Sequence, residues 1–361
     1  MKSQFSSKYH FYTTSKQAWK AMYHSISKAK KSIYWESYIF LDDEIGKKFI
    51  TLLMKKAKKG VEVILLFDAL GSYWISKKSI QALTHAGVDV RLFSRKRTLS
   101  SLKELYRFLR ERTHRKILVV DNTVGFIGGV NVKKSHADWL DVVVRISGAI
   151  CRHLSRAIAK NYIFSGGDKK NVKHILHPHL TTLKSLEFIF QERKLTVRKA
   201  YIQALRQAKE HILFATPYYA PDPGFLLEIS RAVKRGVKVD LIIPFRTDVK
   251  FVTYLARAFF SLTHLLGVRL HLLNKMMHGK AVVVDDKFAI VGSSNLDRSS
   301  FKYNYEASAK ITQRVAVRKV KKILEQWKQR YGVRFDVKKW AQRGWWRRVK
   351  EWFVKHFSGE L

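Results

Sequence analysis

The chain has 361 residues, 46% of them hydrophobic, which is enough for two ordinary domains with packed cores and too apolar for a disordered polyelectrolyte. Seventy Lys and Arg against 28 Asp and Glu give a formal charge of +42, so the partner is a polyanion; nucleic acid and an anionic membrane surface both qualify. The single cysteine, Cys151, excludes an internal disulfide framework and any cysteine metal cluster.

The N-terminal residues lack the apolar core of a signal peptide. The most apolar stretch, 252–273, is interrupted by Arg257, His264 and Arg269 and falls short of the ~18 consecutive apolar residues that a membrane span needs. The expectation is therefore a protein without a transmembrane segment, resident in the cytoplasm.

In chain order, residues 29–34 lead into Ser37-Tyr38-Ile39 as a first strand; a helix follows, then a strand over 59–66, a second helix, and a strand over 86–90. A basic segment, 94–112, comes next and reads either as a solvated helix or as a lid or anionic-lipid contact beside a site. His114-Arg115-Lys116 then opens the β-branched run Ile117-Leu118-Val119-Val120, a buried strand, followed by Asp121, the turn Gly128-Gly129-Val130-Asn131, and Asp141. Glycine, proline and polar residues mark a join at 166–182.

The same order then repeats. Residues 208–213 with Pro217-Tyr218-Tyr219 match the first strand, 235–242 the second and 266–270 the third. His278-Gly279-Lys280 opens Ala281-Val282-Val283-Val284, and Asp285, Gly292-Ser293-Ser294-Asn295 and Glu306 follow. The intervals from His to Lys, Asp, Gly and Asn are identical in the two copies. One His-x-Lys is noise in a basic protein, but two that agree at four offsets are not. The alternating elements predict an α/β fold of two pseudo-symmetric halves, each a mixed sheet flanked by helices, with one active site at their interface. The boundaries read as 1–165 for the first half, 166–182 for the linker, 183–330 for the second half and 331–361 for a tail.

His and Lys two apart on a strand point to one face, so each imidazole stands beside an ammonium. That pairing suits a phosphate: the ammonium offsets oxyanion charge while a neutral imidazole attacks phosphorus or moves a proton. His114, Lys116, His278 and Lys280 are the candidate catalytic groups. Asn131, Asn295 and Ser293 are candidate phosphate donors, and Gly128 and Gly292 allow close backbone approach. Asp141 and Glu306, 27 and 28 residues beyond their histidines, are candidate carboxylates for the second imidazole N–H. Asp121 and Asp285, five residues past each Lys, read as structural turn residues outside the phosphate shell. Gly129 stands where the second copy has Ser293, so the first half lacks one hydroxyl.

With these motifs in place, together with Tyr34-Trp35-Glu36-Ser37-Tyr38-Ile39-Phe40, Trp139-Leu140-Asp141 and the run from Gly292 through Ser300, the chain resembles the phospholipase D superfamily over residues 10–330. Its surroundings look most like bacterial cardiolipin synthases of the short type without N-terminal membrane helices. The resemblance implies a two-step mechanism without metal or other cofactor, through a phosphohistidine. It assigns His114 as nucleophile and His278 as acid and base, an assignment that pseudo-symmetry leaves reversible. It also implies phospholipid substrates, phosphatidylglycerol with phosphatidylethanolamine as a second candidate, at the cytoplasmic face of an anionic membrane. Hydrolysis with water as acceptor and a nuclease of the same superfamily are the rival activities, nucleic acid being the less favoured partner.

The tail places Trp345, Val349, Trp352, Phe353 and His356 on one helical face, ringed by Arg343, Arg347, Arg348, Lys350 and Lys355. Indoles with flanking cations suit the headgroup region of an anionic bilayer, whereas a helix packing its aromatics onto the body is the plainer reading.

Overall fold

The computed structural model describes residues 8–93, 109–177, 179–192 and 195–357, the side chains of Arg347, Lys355, His356 and Phe357 excepted. Most of the basic segment at 94–112 lies outside the described residues, and so do the tail side chains just named.

Each half is built on a mixed sheet, as the repeat predicts. The first has seven strands in the spatial order Tyr9–Thr14, Leu140–Ser147, Val124–Gly128, Ile117–Val120, Ser32–Ser37, Glu62–Asp68, Asp89–Phe93. The second repeats this order strand for strand as Leu186–Gln191, Glu306–Ile311, Phe288–Gly292, Lys280–Val284, His211–Ala215, Lys238–Pro244, Arg269–Leu273, and adds the edge strand Gly332–Arg334. In both, the three strands joined through helices run parallel, and the His-x-Lys strand pairs antiparallel on both sides. The outermost strands, Tyr9–Thr14 and Leu186–Gln191, complete the duplication, although their sequences carry no repeated motif.

The two sheets meet face to face near their His-x-Lys hairpins, and the helices Arg152–Phe164 and Arg314–Tyr331 fill the space beside that meeting. The central core therefore draws on both halves, with Val142, Val144, Leu154 and Ile158 packed among Leu213, Ala281, Val317 and Trp327. Two further cores lie under the outer helices, one per half. The join is no free tether. Short helical turns at Lys169–Val172 and Lys173–Leu176 bury Val172, Ile175 and Leu176 in the central core.

Asp121 and Asp285 sit at the hairpin turns with φ of +50° and +47°, left-handed conformations that Asp tolerates. Each carboxylate accepts three consecutive backbone N–H groups, Asp121 from Lys30, Lys31 and Ser32 and Asp285 from Lys209, Glu210 and His211. They thus tie the hairpin to the start of the neighbouring parallel strand, at the end of the sheet away from the histidines. At Gly128 a Cβ would come within 2.5 Å of the Val142 carbonyl, and at Gly292 within 2.4 Å of the Ala307 carbonyl. Both glycines let neighbouring strands close up beneath the site.

Candidate active site

The motifs of the two halves interlock. His114 N donates to Tyr305 O and Tyr305 N to Arg112 O, while His278 N donates to Leu140 O and Leu140 N to Met276 O. Each His-x-Lys segment is thereby stitched to the residue just before the opposite half's carboxylate. The carboxylates cross over in consequence: His114 Nδ1 lies 2.9 Å from Glu306 Oε1, and His278 Nδ1 lies 3.4 Å from Asp141 Oδ2. Each imidazole is oriented by the other half, so neither half holds a complete site.

All of these groups are buried. Lys116 Nζ and Lys280 Nζ each donate at 2.7 Å to the carbonyl of the histidine two residues earlier. Lys280 Nζ also stands 2.9 Å from His278 Nε2. Burial, and then the opposing ammonium of Lys280, drive Lys116 well below the ordinary lysine range. Burial brings Lys280 down to about 8, against the pull of Asp141 and Glu306. Two ammonium groups held close in a desolvated space have their electrostatic cost relieved when an anion enters between them.

The histidines are kept neutral. Burial lowers His114 to about 4 although Glu306 pulls it upward, and burial with the charges of Lys280 and Lys116 sends His278 well below its ordinary value. The carboxylates differ. Burial raises Asp141 to about 6, whereas at Glu306 the opposing effect of burial is outweighed by His114 and Lys116, which hold it below the usual glutamate range.

Ser293 needs correction as a phosphate donor. Its hydroxyl donates to Glu306 Oε2 and accepts from Ala307 N, so it fixes the carboxylate instead of facing a ligand. The first half cannot carry a serine at the matching place. A Cβ on Gly129 would lie 2.6 Å from both Asp141 Oδ1 and the His278 carbonyl. Asn131 is anchored by Ile39 N at its Oδ1, 3.2 Å away, which leaves its NH2 end as the donor, and Asn295 Oδ1 is buried with no partner among the described residues.

Several residues of the site went unread in the sequence. Tyr38 stacks edge-on to His114 at 5.0 Å with Lys116 Nζ 4.9 Å from its ring centre, and Tyr218 stands 6.2 Å from His278. They occupy matched positions in the repeat, which was the available signal. His136 stacks on Trp139 at 3.6 Å and lies 6.3 Å from His278; it has no counterpart at the matched position, so duplication could not reveal it. Arg115, fully buried, reaches across the interface to the carbonyls of Glu306 and Gln191, whereas Gly279 leaves no room for a side chain beside Trp327 and Val142. Among the described residues no group of three or more His, Cys, Asp or Glu side chains is placed to hold a metal ion.

The family model described as cardiolipin synthase, PLD-like domain matches this chain twice, over residues 22–161 and 201–328. The chain belongs to this family. It is 32% identical over 305 residues to a cardiolipin synthase of Clostridium perfringens (strain SM101 / Type A), covering 80% of this chain and 63% of that protein. A cardiolipin synthase of Geobacillus kaustophilus (strain HTA426) is 31% identical over 94% of this chain and 69% of its own length. The chain thus spans about two thirds of the relatives that it matches. The crystal structure of phosphatidylserine synthase from Haemophilus influenzae Rd KW20 superposes with a TM-score of 0.73 over 98% of this chain and 93% of that one, at 13% identity, and so shares the fold.

Proposed function

We propose that this chain is the catalytic part of a cardiolipin synthase-type phosphatidyltransferase, which moves a phosphatidyl group between phospholipids, two phosphatidylglycerols giving cardiolipin and glycerol. The observation that carries this reading is the crossed pair of imidazoles, each oriented by the other half's carboxylate, with two buried lysine side chains beside them. Such a site suits a phosphodiester in which one ester bond is replaced in two steps through a histidine while the other stays intact.

In the first step His114 Nε2 attacks phosphorus, the bond to the glycerol headgroup oxygen breaks, and His278 supplies that oxygen with a proton. Binding of the phosphate anion offsets the charges that keep His278 neutral in the empty site and so raises its proton affinity. In the second step His278 takes the proton from the hydroxyl of a second phosphatidylglycerol, whose oxygen attacks phosphorus and releases His114. Glu306 favours His114 as nucleophile: it is closer to its imidazole than Asp141 is to His278, it is held anionic, and it can stabilise the positive charge of a phosphorylated ring. Lys116, Lys280 and Asn131 would hold the phosphate oxygens.

We place the chain at the surface of an anionic cytoplasmic leaflet. The +42 charge supports this, as does the tail helix Trp345–Phe357, which packs on Lys250–Leu265 through its Val354 side and leaves Trp345 and Trp346 59% and 63% exposed. Among the described residues no helix is long and apolar enough to cross a membrane. Incubation with phosphatidylglycerol vesicles, alone and with phosphatidylethanolamine, followed by separation of the lipids, tests the reaction: cardiolipin with stoichiometric glycerol is expected. Phosphatidic acid as the main product would make the chain a hydrolase.

A further inference from the structure

The halves also diverge beyond the strands Glu62–Asp68 and Lys238–Pro244. In the first half the next helix is Lys77–His85, of 9 residues; in the second it is Lys250–Leu265, of 16. The longer helix stands off from the segment 218–226 and leaves a groove of about 760 Å³ between them, within the ~300–1,000 Å³ typical of ligand pockets. Its walls include Leu226, Phe251, Leu255, Phe259 and Leu262, together with Tyr218, the ring beside His278. The two carboxylates along it are already engaged, Asp222 by Arg198 and Phe225 N, and Asp297 by Ser300 N.

We propose that this groove is an acyl-chain subsite, holding one fatty-acyl chain of the phospholipid whose phosphorus lies between His114 and His278. The inference rests on the phosphatidyltransferase reading and adds to it where the substrate's apolar part goes. An apolar groove of this size left open to water is unfavourable, so something apolar covers it. A peptide would carry backbone N–H and C=O groups into walls that offer them few partners, whereas a hydrocarbon chain brings none. The groove also adjoins both ends of the task. Tyr218, the aromatic neighbour of the reacting imidazole, lines it, and one of its walls is the same helix on which the tail, with its exposed indoles, is mounted. A chain leaving the bilayer beside the tail would have an apolar path to the phosphate site. The first half has only a 9-residue helix at the matching place, so the two halves would hold their substrates unequally.

Two measurements test this. Leu255→Trp fills the groove from a half-buried position on the helix. With long-chain phosphatidylglycerol its kcat/KM should fall tenfold or more, while turnover of a water-soluble chromogenic phosphodiester without acyl chains stays within twofold. Unchanged lipid turnover overturns the proposal, and so does equal loss on both substrates. Independently of any variant, phosphatidylglycerol carrying a diazirine in one acyl chain should crosslink the wild-type protein within 218–226 and 251–262; crosslinks confined to other segments overturn it. If the wild-type protein turns over the soluble diester but no phospholipid, the phosphatidyltransferase reading fails by itself, and the crosslinking result still decides the groove.

Discussion

The two halves share seven strands in one order, yet several pairs of equivalent positions around the site do different things. Thr113 donates its hydroxyl to Glu36, which also accepts from Asn161 Nδ2 at 2.7 Å, so the first histidine is braced by a polar network inside its own half. At the matched position the second half has Met277, which is packed in the central apolar core. Arg115 spans the interface where Gly279 has no side chain, and Gly129 yields the space that Ser293 fills. Duplication supplied a twofold scaffold, and these substitutions made the two imidazoles chemically distinct: one close to an anionic Glu306, the other farther from Asp141 and in contact with Lys280.

The sharpest way to break this comparison is to remove each imidazole. His114→Ala and His278→Ala should each lower lipid turnover by about 10³-fold or more, because the roles are complementary and neither half can supply both. A single variant that keeps substantial activity would mean that one half suffices. Rapid quench with 32P-labelled lipid should trap a phosphorylated residue at position 114; label at 278 would reverse the assignment while leaving the crossed site intact.

The carboxylates come next. Glu306→Gln keeps the shape but loses the anion beside His114 and should cost kcat about 10²–10³-fold, whereas Asp141→Asn, at the looser contact, should cost about tenfold. Equal losses would show that the difference between 2.9 and 3.4 Å has no functional weight.

The cores of both motifs, the sheet membership of their strands and the turn role of Asp121 and Asp285 could be read from the sequence because each depends on local spacing. The crossing of the carboxylates could not. The distance from His114 to Asp141 along the chain is nearly that from His278 to Glu306, and only the packing of the halves decides that Glu306 reaches His114. Ser293 was misread for a related reason: a hydroxyl in a glycine turn looks available until the glutamate beside it is placed. Tyr38 and Tyr218 were legible as a matched pair, but a phenol that stays protonated near neutral pH drew no attention. The groove follows from a difference in helix length, which a search for similarity passes over.

Interface packing gives a smaller and more physical test. Arg115→Ala strands buried carbonyls of Glu306 and Gln191 and empties their shared space, for a loss of about 3 kcal/mol in denaturant unfolding. Gly279→Ala instead forces a Cβ to 2.9 Å from Trp327 and should cost about 1–3 kcal/mol through overpacking. If Arg115→Ala is neutral, the guanidinium is not what holds the halves in register.

The lysines predict a pH response with two opposite signs. Lys280 falls from an ordinary 10.5 to about 8 in the folded state, so between those values the folded chain binds fewer protons than the unfolded one. This group therefore makes stability rise with pH across that window. The rate does the reverse: kcat/KM reports the free enzyme and should decline above about pH 8 as the ammonium is lost. Lys280→Arg, which stays charged, should move that alkaline limb upward, though with lower activity, since a guanidinium does not reproduce a point charge. A limb that stays put in the variant would assign it to another group.

The smallest effect concerns the tail. Deleting it from residue 340 onward would be a poor test, because Trp340 packs against Phe260 and Phe335 at 5.5 and 5.4 Å and Arg343 stacks on it at 4.2 Å. Glu351 is likewise buried, bonded to Arg343 at 2.6 Å. The first turn of the last helix can be changed without touching these contacts. Trp345 and Trp346 stack on each other at 3.9 Å and are more than half exposed, so Trp345→Ala with Trp346→Ala should leave stability within about 0.5 kcal/mol. The double variant should bind vesicles of rising anionic content several-fold more weakly at high salt, where the cationic attraction is screened and indole burial carries more of the attachment, and less so at low salt. Flotation at two salt concentrations separates the two contributions. If the variant floats like the wild type at both, the exposed indoles are not the seat of membrane attachment.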